Sequence, residues 1–376
     1  MIYLDHNATT SLRPGVLEAM LPWLSQHPGN ASSVHRFGRL ARDAVEQARA
    51  QVAEWIGAQA EEVIFTSGAT EANNWALQGL RPGAPRLVGS TEHDAVLQAV
   101  PHAPRLPVRA DGYLDAPALQ KLLQQARGGV LSLMAANNET GVLHDLEPVI
   151  QAAQSQDVWV HSDATQAVGR MRMRFDQSGL AALSCSAHKL GGPKGVGALV
   201  LRRGVDIGRG QRGGPHERGL RAGTLNVPGI VGFGAACAAL VSVLDAECER
   251  LARWRDGFEA ELRRRFAEVQ IFGADAARLP HTSFFALPGW HSEALLMALD
   301  KRGLALASGS ACHSGSDVPS HVLAAMGLPT EMALGAVRMS LGHDSSEEDV
   351  QALLQALEQI VQSSSAGSAM AGVLNR

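Results

Sequence analysis

The sequence predicts an α/β protein: a large domain with a mostly parallel sheet flanked by helices, followed by a smaller α+β domain. Three observations carry this. Short apolar, strand-like runs alternate with helical stretches as far as Leu201, the pattern of parallel strands covered on both faces. A helical stretch from Pro228 to about Phe266 is apolar first and charged later, with Glu247, Glu249, Arg250, Arg253 and Arg255. That change suits a helix leaving one core for another. Finally, 376 residues are enough for two domains.

Taken in order, Arg39 to Ile56 reads as a helix. Val63-Ile64-Phe65-Thr66 reads as a strand, and Ala69 to Leu80 as the helix after it. The strand Arg86-Leu87-Val88-Gly89 precedes a helix from Glu92 to Val100, and a further helix spans Asp115 to Ala126. Val130 to Met134 is the next strand, Glu147 to Gln156 the next helix, and Val158-Trp159-Val160-His161 the strand after that. An apolar run, Ala181 to Cys185, leads to a final strand of this series, Ala198 to Leu201. Beyond Phe266 the strand-like pieces are Thr282 to Leu287 and Ala336 to Leu341. The last helix starts at Ser345, with Glu348 three residues on as a capping box. The tail Ser363 to Arg376 is small and polar and reads as frayed. The expected division is a large domain over 12–245, and a small domain made of 1–11 and 246–376.

Composition narrows the function. A hydrophobic content of 45% with 19% charged residues is that of a globular domain, and a net charge of −4 gives no electrostatic case for nucleic acid or an anionic membrane. The chain starts with Tyr3-Leu4-Asp5-His6, without a basic-then-apolar leader pattern, and no apolar run is long enough to span a bilayer. Four cysteines (Cys185, Cys237, Cys248, Cys312) have no CxxC spacing, so neither a disulfide framework nor a metal site is expected. A cytoplasmic protein with reduced thiols follows.

The chemistry-bearing stretch is Ser186-Ala187-His188-Lys189-Leu190-Gly191-Gly192-Pro193-Lys194-Gly195. It places one lysine, of only four in the chain (Lys121, Lys189, Lys194, Lys301), between a Ser/His pair and a glycine turn. Such a lysine can form an imine with a carbonyl cofactor, or be a solvated residue at a strand exit. Asp163, after the strand ending at His161, supports the first option, because pyridoxal phosphate (PLP) needs a carboxylate at its ring nitrogen. Ser67-Gly68-Ala69-Thr70-Glu71 opens a helix and reads as a phosphate cradle or as a plain N-cap. His93 follows a strand end, where it can stack on a planar ring or simply satisfy a polar contact. Asn137-Asn138-Glu139-Thr140-Gly141 is a turn signal whose asparagine can bond a phenolic oxygen. In Ala307 to Ser316 nearly every residue is small, which suggests a mobile loop over about 307–318, and Cys312 stands in it as either a nucleophile or an incidental thiol. Arg338 interrupts an apolar strand and must find an anion, either a substrate carboxylate or a structural acid.

Together these motifs, in this order, resemble the cysteine desulfurases of the NifS/IscS type, within the class V aminotransferase group of fold-type I PLP enzymes. The resemblance runs from Tyr3-Leu4-Asp5-x-x-Ala8-Thr9-Thr10 to Val337-Arg338-Met339-Ser340-Leu341-Gly342. It implies that Lys189 carries PLP, that Asp163 faces the pyridine nitrogen, and that Gln166 and Asn138 bond the phenolic oxygen. His93 would stack on the ring. Thr70, Ser186 and His188, with the Ala69 backbone, would hold the phosphate. Thr224 would reach the phosphate of a neighbouring subunit, which implies a homodimer. Arg338 and Asn138 would bind the substrate, Arg338 gripping its carboxylate, and Cys312 would take the sulfur of L-cysteine as a persulfide, releasing L-alanine. Either His93 or His313 would accept the thiol proton. An acceptor protein, such as an iron–sulfur scaffold or another carrier, would then receive the sulfur.

The chain departs from the family pattern at two positions: Gly191 stands where a tyrosine is often found, and His313 where threonine is commoner. The rival readings are a selenocysteine lyase or another class V PLP enzyme such as an aminotransferase, and a PLP-free sulfur-carrier subunit.

Overall fold

The computed structural model describes residues 1–309 and 319–374, with side chains as far as residue 363. The chain opens with β1 (Ile2–Tyr3), then α1 (Val16–Ser25) and α2 (Arg36–Ile56). An alternating series follows: β2 (Val63–Thr66), α3 (Ala69–Gly79), β3 (Arg86–Gly89), α4 (Asp94–Leu97), β4 (Arg105–Leu106), α5 (Ala116–Gln125), β5 (Val130–Ser132), α6 (Leu146–Ser155), β6 (Trp159–Asp163), α7 (Phe175–Ser178), β7 (Ala182–Ser186) and β8 (Gly197–Leu201). Two long helices come next, α8 (Val227–Leu240) and α9 (Leu244–Arg265). The chain ends with β9 (Gln270–Ile271), β10 (Thr282–Ala286), α10 (Ser292–Asp300), β11 (Leu304–Ala305), α11 (His321–Ala325), α12 (Thr330–Leu334), β12 (Ala336–Ser340) and α13 (Glu347–Leu374).

Seven strands form one sheet in the order β2-β8-β7-β6-β5-β3-β4. All neighbouring pairs are parallel except those of β8, which runs against β2 and β7. Hence β2 points the same way as β7, and six strands end on one side of the sheet. The sheet strands are buried along nearly their whole length, as expected of strands covered on both faces. Val45, Val52 and Ile56 of α2 pack with Phe233 of α8 and Phe65 of β2 in the larger apolar core.

A separate core gathers Leu251, Phe258 and Leu262 of α9 with Phe285, Val337, Leu353 and Leu357. The β12-β10-β9 sheet contributes to it, and β1 pairs with β11, so the first residues of the chain pack with the last third. The expected single helix from Pro228 to Phe266 is two helices meeting at 77°. Leu244, at the start of α9, still lies in the first core and Leu251 in the second; α9 passes from one core to the other. Among the described residues, no single helix is long and apolar enough to cross a membrane.

Three helix ends differ from expectation. The helix expected from Glu92 begins only at Asp94, because the His93 ring caps it, accepting Ala95 N–H at 3.0 Å. The last capping box lies one residue later than read. Ser346 N–H donates to the Asp349 carboxylate at 2.8 Å and Asp349 N–H to Ser346 Oγ at 3.3 Å, whereas Ser345 Oγ accepts Gly342 N–H at 2.9 Å. The tail read as frayed continues α13 to Leu374.

Candidate active site

Most of the residues singled out by sequence lie at strand ends or on turns that leave the same edge of the large sheet. Asp163 is the last residue of β6 and Ser186 the last of β7; His93 follows β3, Asn138 follows β5, and Ala69 starts the helix after β2. Ligands of open parallel sheets bind at this edge. A cavity of about 530 Å³ opens there. Its walls include Ala69, Thr70, His93, Asn138 and Asp163. Gln166, Ser186, His188, Lys189 and Arg338 complete the group.

Lys189 closes a single turn, Ala187–Lys189, after β7. Its Nζ donates to the carbonyls of Asn7 and, at 2.8 Å, Ala8. The N-terminal segment lies as a strap over this turn: Thr10 N–H donates to His188 O at 3.1 Å and Arg13 N–H to Gly191 O at 2.9 Å. His188 Nδ1 and Thr9 Oγ1 are 3.1 Å apart. Burial, with the Lys189 and Lys194 charges beside it, pushes the His188 pKa down to about 4, so the ring is neutral near pH 7.

Gly191 explains its own departure from the family pattern. It has φ +92°, and a Cβ there would lie 2.4 Å from Arg13 Cγ, so no other residue fits without displacing Arg13. That space lets Arg13 form a two-pronged pair with Glu247 of α9, both bonds 2.8 Å. The strap, the lysine turn and α9 are thereby tied together.

Asp163 is 5% exposed. Its Oδ2 accepts Asn73 Nδ2 at 2.6 Å and its Oδ1 accepts Thr165 N–H at 2.9 Å. Below it, His161 is enclosed between Ser132 Oγ at 2.9 Å and Ser184 Oγ at 2.8 Å, and burial lowers its pKa to about 4. Glu92 is fully buried; burial, reinforced by the Asp163 charge, holds its carboxyl well above the usual range. Gln166 Nε2 donates to Asn7 O at 3.0 Å. Arg338 is 2% exposed; Nη1 donates to Asn138 O at 2.8 Å and Nη2 to Asp5 Oδ1 at 2.6 Å.

One expected residue among those described is not brought together with these. Thr224 is exposed on the loop before α8 and does not line the cavity of its own chain. Cys312 and His313 lie outside the described residues. Among the described residues the other thiols are poor nucleophiles. Burial raises Cys185 to about 12, Cys248 to about 11 and Cys237 well above its ordinary value.

Sequence reasoning missed Asn7 and Asn73, which line the cavity. Asn7 Nδ2 donates to Asn138 O and Thr282 Oγ1, both at 3.0 Å. Asn7 stood inside the quoted motif Tyr3 to Thr10, but nothing local marks it as a hub. The site thus combines a primary amine, a carboxylate acceptor, a neutral His188 beside Ser186, and the N-terminus of α3, which favours an anion.

The family model of class V aminotransferases matches residues 2–353. The chain is 40% identical over 373 residues to cysteine desulfurase IscS of Dictyoglomus turgidum, covering 96% of this chain and 94% of that one. An IscS-like cysteine desulfurase of Mycobacterium tuberculosis is 41% identical over 375 residues, with 95% of each covered. Among solved structures, a NifS-like protein from Rickettsia africae superposes with a TM-score of 0.90 at 32% identity, covering 96% of this chain and 99% of that one. The protein SspA in complex with cysteine superposes at 0.78 and 30% identity, covering 91% and 99%.

Proposed function

The chain belongs to the class V aminotransferase family, and from that premise we propose that it is a PLP-dependent cysteine desulfurase. L-cysteine and the Cys312 thiol would give L-alanine and a Cys312 persulfide. The observation that carries this is the meeting of Lys189, Asp163, His93 and the α3 N-terminus in one cavity with Arg338.

The residues present fit PLP. Asn73 Oδ1, Asn138 Oδ1 and Thr165 Oγ1 are buried around the cavity without a partner among the described residues, and a polar ring with substituents would use such groups. Lys189 would bond the aldehyde carbon, Asp163 the pyridine nitrogen, Gln166 and Asn138 the phenolic oxygen. Ser186, His188, Thr70 and the Ala69 N–H would hold the phosphate, and His93 would cover the ring. PLP supplies an electron sink for charge developing at the substrate Cα.

The chain's own groups do the rest. Lys189 Nζ takes the Cα proton, with the Asn7 and Ala8 carbonyls as its resting acceptors. Arg338 orients the substrate carboxylate. The Cys312 thiolate attacks the substrate sulfur: an S–S bond forms as the C–S bond breaks, and the carbon skeleton leaves, once protonated, as alanine. A thiol in this role needs a reducing compartment such as the cytoplasm. In a homodimer Thr224 would serve the partner's phosphate, and the persulfide would pass to an acceptor protein.

Borohydride reduction of the PLP-loaded enzyme followed by peptide mass spectrometry should place the adduct on Lys189, and Lys189→Ala should lose the yellow colour and all turnover. Cys312→Ser should stay yellow and release no sulfide from L-cysteine. A Cys312→Ser enzyme with full activity would end this reading.

A further inference from the structure

In sequence, Cys312 stands between Gly309 and Ser320, and these two described residues meet at one carboxylate. Gly309 has φ +106°, and a Cβ on it would lie 2.9 Å from Glu139 Oε2 and 3.3 Å from Phe284 Cζ. Only glycine suits that backbone and that space. From the other side, Ser320 Oγ donates to the same Glu139 Oε2. Ser320 Oγ also accepts Leu323 N–H at 3.2 Å, which caps α11.

The next residue, His321, is bonded through Nε2 to the Glu92 carbonyl at 2.9 Å, one residue before His93. Ala307 and Arg338 exchange backbone hydrogen bonds of 3.3 and 2.6 Å. Glu139 itself is fully buried and adjoins Asn138, whose carbonyl accepts Arg338 Nη1. The ends of the Cys312 tether are thus bonded to strand β12, which carries Arg338, and to the turns that carry Asn138 and His93. Pinned ends bound the reach of the chain between them.

We propose that Glu139 is a positioning residue for sulfur transfer: through Ser320 and Gly309 it fixes where the Cys312 tether departs, and so sets how often the thiol meets the substrate sulfur. Substrate binding is left to Arg338 and Asn138. This rests on Cys312 being the sulfur acceptor of the reaction proposed above.

The test uses the full-length, PLP-loaded enzyme with Ser320→Ala, Ser320→Thr and Glu139→Gln. Steady-state kinetics with L-cysteine are paired with the rate of iodoacetamide labelling at the Cys312 peptide, followed by mass spectrometry without substrate. Ser320→Ala should lower kcat roughly 10- to 100-fold with KM unchanged, as expected for misplacement of a reacting group. It should also change the labelling rate several-fold. Ser320→Thr, which keeps the hydroxyl, should restore both, and Glu139→Gln should move both in the same direction as Ser320→Ala. Unchanged kcat and labelling in Ser320→Ala and Glu139→Gln would overturn the proposal, as would a loss confined to KM or no rescue by threonine. Labelling requires no turnover, so it reports on Glu139 even if Cys312→Ser were to disprove the role of the thiol.

Discussion

Two buried arginines make opposite use of the same chemistry. Arg49 of α2 forms a two-pronged pair with Glu217, both bonds 2.8 Å, and adds the Val63 carbonyl at 2.9 Å. Glu217 also accepts Phe65 N–H at 2.8 Å, and the guanidinium sits 4.8 Å over the Phe65 ring. That fork points into protein and is filled. Arg338 is as deeply buried, but Asp5 meets it at one nitrogen only, and its Nε has no partner among the described residues. It also lines the cavity. A guanidinium has five donors in a planar fork suited to carboxylates. The difference separates an arginine that joins elements from one with capacity left for a ligand.

The comparison can be broken from either side. Glu217→Ala should cost about 3–5 kcal/mol of stability, because it leaves the buried Arg49 charge only the exposed Glu46 carboxylate, at 3.2 Å. Chemical denaturation measures this, and KM for L-cysteine should not change in enzyme kept below its melting point. An unchanged unfolding midpoint would mean the filled fork is not structural.

Acid should weaken the core. Burial lowers the His6 and His144 pKa values from 6.5 to about 4. Above pH 6.5 both states are neutral and the two groups cost nothing. As pH falls from 6.5 toward 4 the unfolded chain takes up protons that the folded chain refuses, so stability drops, by up to about 3 kcal/mol per group. A denaturation midpoint that stayed level over that range would contradict the burial of these rings.

Arg338→Ala is expected to reduce kcat/KM for L-cysteine about 100-fold, from loss of charge-assisted bonds worth about 1.5–3 kcal/mol each. Most of the change should lie in KM. A large loss of stability with KM unchanged would reverse the roles of the two arginines. The smallest effect expected is that of Asn73→Ala, which removes one of the two hydrogen bonds to Asp163. PLP affinity, titrated by absorbance, should weaken about 10-fold, the effect of one such bond. Unaltered affinity would show that Thr165 N–H suffices to hold the carboxylate.

Much of the cavity was legible because its residues follow strands closely. Asp163, Ser186, His93 and Asn138 each lie within a few residues of an apolar run, and the parallel-sheet rule brings such positions to one edge. Asn7 was not legible. Its partners are Asn138, Gln166, Lys189, His281 and Thr282, all distant in sequence, and no local pattern encodes that convergence. Asn73 fails for the same reason, being one polar residue within an ordinary helix until β6 brings Asp163 against it. The turn between α8 and α9 was hidden too. Val241-Ser242-Val243 contains neither proline nor glycine, and the break follows from packing against two cores, which propensity does not record.

Residues 13 and 191 occupy one volume. A bulkier side chain at 191 requires Arg13 to withdraw, and Arg13 cannot withdraw without giving up both bonds to Glu247, which would keep only Arg170 at 3.6 Å. A change from glycine to tyrosine must therefore pass through a weakened intermediate unless residue 13 changes with it. This is epistasis written in atoms: the glycine at 191 and the arginine at 13 constrain each other.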